Sequence, residues 1–409
     1  MRLLVYEHVS GGGVANAEIP ASVLSEGFGM LQTLISDFKA AGHNVTTTLD
    51  SRIAKFNPPL AADCAVPVFS CRETQTRLRE LSEQADAAYV VAPETDGVLQ
   101  SLVEMVEQTG VTSLNCAAIA IGKVSDKAGF CEVMSKLGVS LPEMRVFSVT
   151  DDLKAIRKAV RTLGFPLIFK PSDGVSCGGL SAVRNEEQVV GAVEKIKKEP
   201  ASKHFLVQEL VKGTAASVSL LSTGSDAVPI SLNLQDVKIE TPGACSSYGG
   251  GMVPFDGPLK LEAFEVAKKL VNSVPGLRGY VGVDFVLTEK EAVAIEVNPR
   301  LTTSYVGLRS VVGFNLAQAI VDSVLKGELP AQIQGCGCTV FSKVETANPT
   351  SDALRRIYGV DGVVAPPFPV ADEGAASGLI ASHGATVEEA SAKFREAKKR
   401  VLHIISGGR

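Results

Sequence analysis

Over the first 115 residues, uninterrupted apolar runs alternate with stretches of helical periodicity. Leu3 to Tyr6 and Ala88 to Ala92 read as strands covered on both faces, and Val23 to Ala40 and Gly97 to Gln108 as helices that cover them. This alternation predicts an open, parallel, Rossmann-like α/β sheet. From 116 to 205 the pattern shifts. Ser125 to Leu137 reads as a helix stopped at Gly138, and Leu153, Ile156, Val160 and Leu163 mark a second helix with Thr150 as its expected N-cap. Phe165 to Lys170 then forms a strand, Ser172 to Gly179 a glycine- and serine-rich loop, and Leu180 to Val183 a returning strand. Residues 206–335 read as antiparallel, with strands at Phe205 to Leu210, Ser217 to Leu221, Val228 to Leu234, Tyr280 to Leu287 and Ala292 to Val297. Residues 336–409 read as a small α+β appendage, its last helix opened by the capping-box spacing of Thr386 and Glu389 and closed near Ile405. The expected class is multidomain, α/β followed by α+β.

The hairpin in the third segment carries the sharpest pattern. Odd positions hold Val281, Val283, Phe285, Leu287, Val293, Ile295 and Val297, whereas even positions hold Gly282, Asp284, Ala292, Ala294, Glu296 and Asn298. One face of the ribbon is therefore apolar and the other small or acidic. A turn over Glu289-Lys290-Glu291 sets Asp284 opposite Glu296, with Asn298 on the same face. Facing carboxylates repel unless a cation lies between them, and an all-oxygen donor set among small neighbours suits Mg²⁺, with Mn²⁺ as the alternative. A solvated acidic face is the plainer reading, but such a face tends to carry mixed charge. Arg300 follows at once as a candidate phosphate clamp.

Composition narrows the field. With 409 residues, 45% hydrophobic, 21% charged and a formal net charge of -5, the chain is neither disordered nor a general polyanion binder, so no nucleic-acid partner is expected. No run approaches the roughly 20 apolar residues of a membrane span, and the amino terminus runs directly into a strand. The expectation is a cytoplasmic protein with no membrane partner. Eight cysteines without a CxxC pair read as reduced thiols, and five histidines outside HExxH and GxSxG contexts give no support to zinc or triad chemistry. Gly11-Gly12-Gly13 lacks GxGxxG spacing and reads as a tight turn or substrate-facing loop rather than a dinucleotide site.

Phosphate-binding groups must come from elsewhere, because no GxxxxGK[ST] occurs. Lys170 ends an apolar strand ahead of the glycine loop, whose N–H groups can close on phosphate oxygens. Lys127 opens a helix after Ser125 and Asp126, and Gln208-Glu209-Leu210-Val211 ends a strand whose open backbone edge can read an adenine. Singly, each has an ordinary reading as a hairpin loop, a solvated lysine or a strand end. In order, Ser125-Asp-Lys127, strand-Lys170-Pro with its loop, Gln208-Glu209-Leu210-Val211 before Gly213, Gly282-Val-Asp284-Phe285 and Glu296-Val-Asn298-Pro-Arg300 resemble the ATP-grasp superfamily over about 115–335.

The resemblance implies an ATP-grasp fold with a pre-ATP-grasp domain (1–115), a lid subdomain (116–205), a catalytic subdomain (206–335) and the appendage 336–409. It implies an ATP-dependent carboxylate–amine ligase working through an acyl phosphate on small-molecule substrates. Lys127 and Lys170 would contact the ATP phosphates or adenine side, and Ser172, Gly174, Ser176, Gly178 and Gly179 would fold over the phosphates. Gln208, Glu209, Leu210 and Val211 would form the adenine hinge. Asp284, Glu296 and Asn298 would hold two Mg²⁺ ions, and Lys170 and Arg300 would stabilise the transferring phosphoryl group. The superfamily's acidic ribose contact is Ala215 here, which leaves that role to Glu209 or another group. Two loops are expected at the substrates: 301–305, with Thr302, Thr303 and Ser304 for a carboxylate, and 243–251 as a mobile lid, with Lys238 and 233–236 beside them. Within the superfamily, Tyr6-Glu-His-Val-Ser-Gly-Gly-Gly13, Asp50-Ser-Arg52 and Ala92-Pro-Glu94 are similar to the tyramine–glutamate ligases of methanofuran biosynthesis. That likeness implies glutamate activated at its side chain and an amine such as tyramine. Other amino acids or peptides, a silent nucleotide-binding regulator and a homodimer stay open.

Overall fold

A computed structural model describes residues 1–172, 177–198, 203–370 and 375–407. Strands β1 (Arg2–Glu7), β2 (Asn44–Asp50), β3 (Cys64–Val68), β4 (Ala87–Val91) and β5 (Thr112–Ser113) form a parallel sheet in the order β3-β2-β1-β4-β5. The two central strands are unbroken apolar runs because both faces are covered. Leu3, Val5, Tyr89 and Val91 pack against helix α1 (Ala21–Ala40), while Leu4, Tyr6, Ala88 and Val90 pack against helices Cys71–Gln84 and Val98–Gln108. The triple glycine after β1 is a tight turn, with the Gly11 N–H donating to Glu7 O and the Gly13 N–H to His8 O, both at 2.8 Å.

Strands β6 (Met144–Ser148), β7 (Leu167–Pro171), β8 (Ser181–Val183) and β9 (His204–Glu209) make a second, antiparallel sheet ordered β6-β9-β7-β8. Helix Leu153–Leu163 packs on it, but its cap is Asp152, whose carboxylate accepts the Lys154 N–H at 3.1 Å, rather than Thr150. Asp152 directly precedes the first helical residue, and Thr150 lies two residues too early, its hydroxyl bonded to Ser148.

The third sheet holds β10 (Thr214–Thr223), β11 (Ala227–Lys238), β12 (Ser247–Val253), β13 (Arg278–Leu287), β14 (Ala292–Asn298), β15 (Cys338–Ala347), β16 (Val363–Ala365) and β17 (Ala375–Gly384). Its order is β14-β13-β10-β11-β12-β15-β17-β16, so the carboxy-terminal segment extends this sheet through β12 rather than standing beside it. Thr386 caps helix Val387–Ile405 as its spacing predicts, accepting the Glu389 N–H while the Glu389 carboxylate accepts the Ala385 N–H.

In the β13–β14 ribbon Asp284 faces Glu296 and Gly282 faces Asn298, as parity predicts. The route differs. The turn is one residue tighter, with Leu287 opposite Ala292 and the Thr288 hydroxyl accepting the Lys290 and Glu291 N–H groups. A bulge restores the register, so Phe285 pairs with Ala294 and Ile295 leaves the buried outer face to line the cavity below.

Candidate active site

A cavity of about 380 Å³ opens where the three sheets meet. The β13–β14 ribbon forms one wall, the ends of β7 and β9 with Cys177, Gly178 and Leu180 another, and the ends of β1 and β4 with one face of α1 the third. Lys127, Lys170, Gly178, Gln208, Glu209, Leu210, Val211, Asp284, Glu296, Asn298, Arg300, Thr302, Thr303 and Ser304 all line it. Residues separated by up to 177 positions in sequence thus share one space, as the motif order led us to expect.

Four expectations need correction. Lys238 is exposed and points away; strand alternation turns Val237 and Ile239 inward instead. Ser172 and Gly179 do not line the cavity. The Ser172 N–H extends the β7–β9 pairing by donating to His204 O at 3.1 Å, and Gly179 turns the chain at φ 68°. Gly174 and Ser176 lie outside the described residues. The Gln208–Glu209 backbone is not an open edge, because β9 is an inner strand; the Glu209 N–H donates to Glu143 O and the Leu210 N–H to Pro166 O. Val211 is the first residue of that run beyond this pairing. Finally, 243–251 is not a free lid: from Ser247 it is strand β12, bonded to β11 and β15, and Gly250 is glycine because a Cβ there would collide with Phe341 O.

Charge dominates the centre. Lys127 Nζ lies 2.9 Å from Glu296 Oε2. Against the burial that would raise it, Lys127 and Lys170 hold the Glu296 carboxyl well below the usual carboxylate range. Asp284 is hydrogen-bonded by neutral amides instead. Its Oδ1 accepts from Gln235 Nε2 and its Oδ2 from Asn298 Nδ2, both at 3.0 Å, yet burial and then the Glu296 charge push it up to about 7. Burial, then repulsion from Lys127, brings the Lys170 ammonium down to about 8. Arg300 is ion-paired to Glu94 at 2.9 Å, which ties the end of the ribbon to the loop after β4.

The donor set fits a divalent cation. Two facing carboxylates, one of them poorly ionised at neutral pH because of burial and its neighbour's charge, are what a hard cation relieves. Among the described residues no three His, Cys, Asp or Glu side chains gather at one point, so the third protein donor would be the Asn298 amide oxygen. The Gly282 position opposite it has no room for a side chain, as a Cβ would lie 2.6 Å from Thr302 Cγ2.

Sequence reading missed part of the cavity wall. Glu7, 2% exposed, accepts from the N–H groups of Val9 and Ser10 and from Ser10 Oγ at 2.6–3.0 Å. Gly27 leaves room for it, since a Cβ there would meet that carboxylate at 2.6 Å. Glu26 is also buried, and Val23, Glu26, Gly27 and Met30 form a cavity-facing stripe at i, i+3, i+4, i+7. A buried acid within the apolar stripe of α1 was the available signal. The 301–305 loop is fixed from behind, because Asp37 on α1 accepts from Tyr305 and Arg309.

Comparison with known proteins agrees with this architecture. Residues 124–304 match a family model described as an ATP-grasp domain, and 43–121 match a pre ATP-grasp 3 domain. The chain is 28% identical over 345 residues to tyramine–L-glutamate ligase of Methanocaldococcus fervens, covering 83% of this chain and 99% of that one. Among solved structures, the 2-oxoglutarate carboxylase biotin carboxylase domain of Hydrogenobacter thermophilus, a complex with MgADP, superposes with a TM-score of 0.70 at 17% identity, covering 97% of this chain and 89% of that one. The L-amino acid ligase of Bacillus licheniformis superposes with a TM-score of 0.67 at 14% identity, covering 98% and 97%. The chain has the ATP-grasp fold with a pre-ATP-grasp domain, and is an ATP-dependent ligase that forms carbon–nitrogen bonds.

Proposed function

We propose that this ATP-dependent carbon–nitrogen ligase joins the side-chain carboxyl of glutamate to tyramine or a similar amine, in a methanofuran-type biosynthesis. The observation that carries the reading is the acidic Asp284–Glu296 ribbon set against Lys127, Lys170 and Arg300 in one cavity. That arrangement suits phosphoryl transfer, which needs positioning and charge neutralisation rather than a protein nucleophile. Likeness to a tyramine–L-glutamate ligase over most of both chains supports the substrate pair.

The residues divide the work. Lys170 and Lys127 hold the triphosphate, the Gly178 loop covers it, and residues 208–211 meet the adenine, with Val211 best placed to offer backbone groups. Asp284, Glu296 and Asn298 would hold Mg²⁺, which would supply positive charge against the phosphate oxygens. Arg300 steadies the transferring phosphoryl group while Glu94 fixes its guanidinium. The substrate carboxylate takes the γ-phosphoryl group as ADP leaves. A neutral amine then attacks the acyl phosphate, forming the C–N bond as the C–O bond to phosphate breaks, with phosphate and the amine's proton released. Eight unpaired thiols suit a reducing cytoplasm.

The test is phosphate release and product mass with MgATP, L-glutamate and a panel of amines. Release confined to tyramine-like amines supports the proposal. Release with other amino acids or peptides would place the chain with broader amino-acid ligases, and silence with every pair would leave a nucleotide-binding regulator.

A further inference from the structure

Glu26 and Lys343 form an ion pair that the chemistry above does not use. Glu26 belongs to the α1 stripe that faces the cavity, and Lys343 lies on the same face of β15 as cavity-lining Phe341, two residues before it. Lys343 Nζ donates to Glu26 Oε1 at 2.8 Å and to Ser22 Oγ at 2.7 Å, and Thr303 Oγ1 donates to Glu26 Oε2 at 2.9 Å. Both charged side chains are 11% exposed. Lys343 Nζ also lies 5.5 Å from the centre of the Tyr248 ring, and Tyr248 lines the cavity. Glu26, Tyr248, Asp284 and Glu296 all line the cavity, so Glu26 and the acidic ribbon share one space.

A buried ion pair of this kind adds little net stability, because desolvation offsets the attraction, and an apolar pair would join α1 to β15 as well. One anion and one cation side by side, in the wall of a cavity that also gathers Lys127, Lys170 and the acidic ribbon, match the two charges of an amino-acid head group. We propose that Glu26 and Lys343 are the head-group subsite: the α-ammonium donates to Glu26, the α-carboxylate accepts from Lys343, and the side-chain carboxyl is directed towards the Asp284–Glu296 ribbon. Exchanging the internal pair for two protein–substrate pairs leaves no charge buried alone. Thr303 keeps the Glu26 carboxylate oriented through the exchange. The assignment rests on the ligase reading and specifies which groups of the substrate are selected.

Calorimetric titration of the full chain, with Mg²⁺ and a nonhydrolysable ATP analogue present, tests it with three ligands. L-Glutamate carries both head-group charges, 4-aminobutanoate lacks the α-carboxylate, and glutarate lacks the α-ammonium. The wild type is expected to bind L-glutamate about 100-fold tighter than either analogue, because each leaves a charged partner unmatched. Lys343→Met should lose the preference over 4-aminobutanoate and Glu26→Gln that over glutarate, while affinity for the ATP analogue changes by no more than about twofold. Each single change leaves a buried charge unpaired, so the double variant Glu26→Gln/Lys343→Met is the folding control; it should bind the ATP analogue and treat the three ligands alike. Discrimination retained in the double variant overturns the subsite, as does a wild type that binds the three equally or none of them. Charge-selective binding without turnover with any amine leaves the subsite standing and overturns the ligase reading instead.

Discussion

Asp284 shows how one side chain can be costly to the fold and useful to the chemistry. Burial and the Glu296 charge raise its pKa to about 7, so as pH rises from about 4 to 7 the unfolded chain ionises this carboxyl while the folded chain keeps it protonated. Stability falls across that range; below it the carboxyl is protonated in both states, and above it the folded chain carries an unfavourable buried charge. Asp284→Asn removes that charge. Without divalent metal, the variant is expected to match wild type near pH 4 and to exceed its unfolding free energy by about 2 kcal/mol at pH 8. Its turnover should fall by about 10³-fold, as expected when charge stabilisation of a phosphoryl group is lost. Thermal unfolding at the two pH values and a phosphate-release assay check both halves; an active variant would remove Asp284 from the site. Parity alone paired Asp284 with Glu296 because a cross-strand pair is local geometry. It did not reveal that Lys127 would sit 2.9 Å from Glu296, since that contact spans 169 residues.

At the level of elements, periodicity found strands and helices well and their neighbours poorly. The strand ending at Glu209 was legible from its apolar run, but its inner position between β6 and β7 was not, because period 2 reports faces and says nothing of edges. The hinge that follows depends on close approach. At Gly213 a Cβ would collide with the carbonyl of Leu287, so the hinge packs directly on the end of β13. Gly213→Val is therefore expected to lower stability by about 1–3 kcal/mol and to raise KM for ATP more than it lowers kcat. Denaturant unfolding with steady-state kinetics tests this; an unchanged KM would mean that the hinge does not shape the nucleotide site. The bulge at Ile295 belongs to the same scale. Two compensating one-residue shifts left the Asp284–Glu296 pairing where simple counting put it, yet moved Ile295 from one face to the other.

For the whole molecule, the carboxy-terminal segment is the clearest departure from the linear reading. β15 covers the edge of β12, brings Phe341 to the cavity and sets Lys343 against Glu26 in its wall, so the segment is part of the body that forms the cavity. A chain ending at 335 would expose β12 as an unpaired edge and uncover the apolar face of α1, where Phe28 packs on Phe368. It is expected to aggregate or to lose cooperative unfolding, measurable by light scattering and circular dichroism; a stable monomer would show that the segment is dispensable. Alternation of apolar and polar residues determined most helices and strands, and the order of short charged motifs determined the fold family, because both are carried by neighbours in the chain. Which strand borders which, which lysine meets which carboxylate, and that Glu26 meets Lys343 were decided only in three dimensions. Those contacts follow from packing surfaces far apart in sequence, and no local period records them.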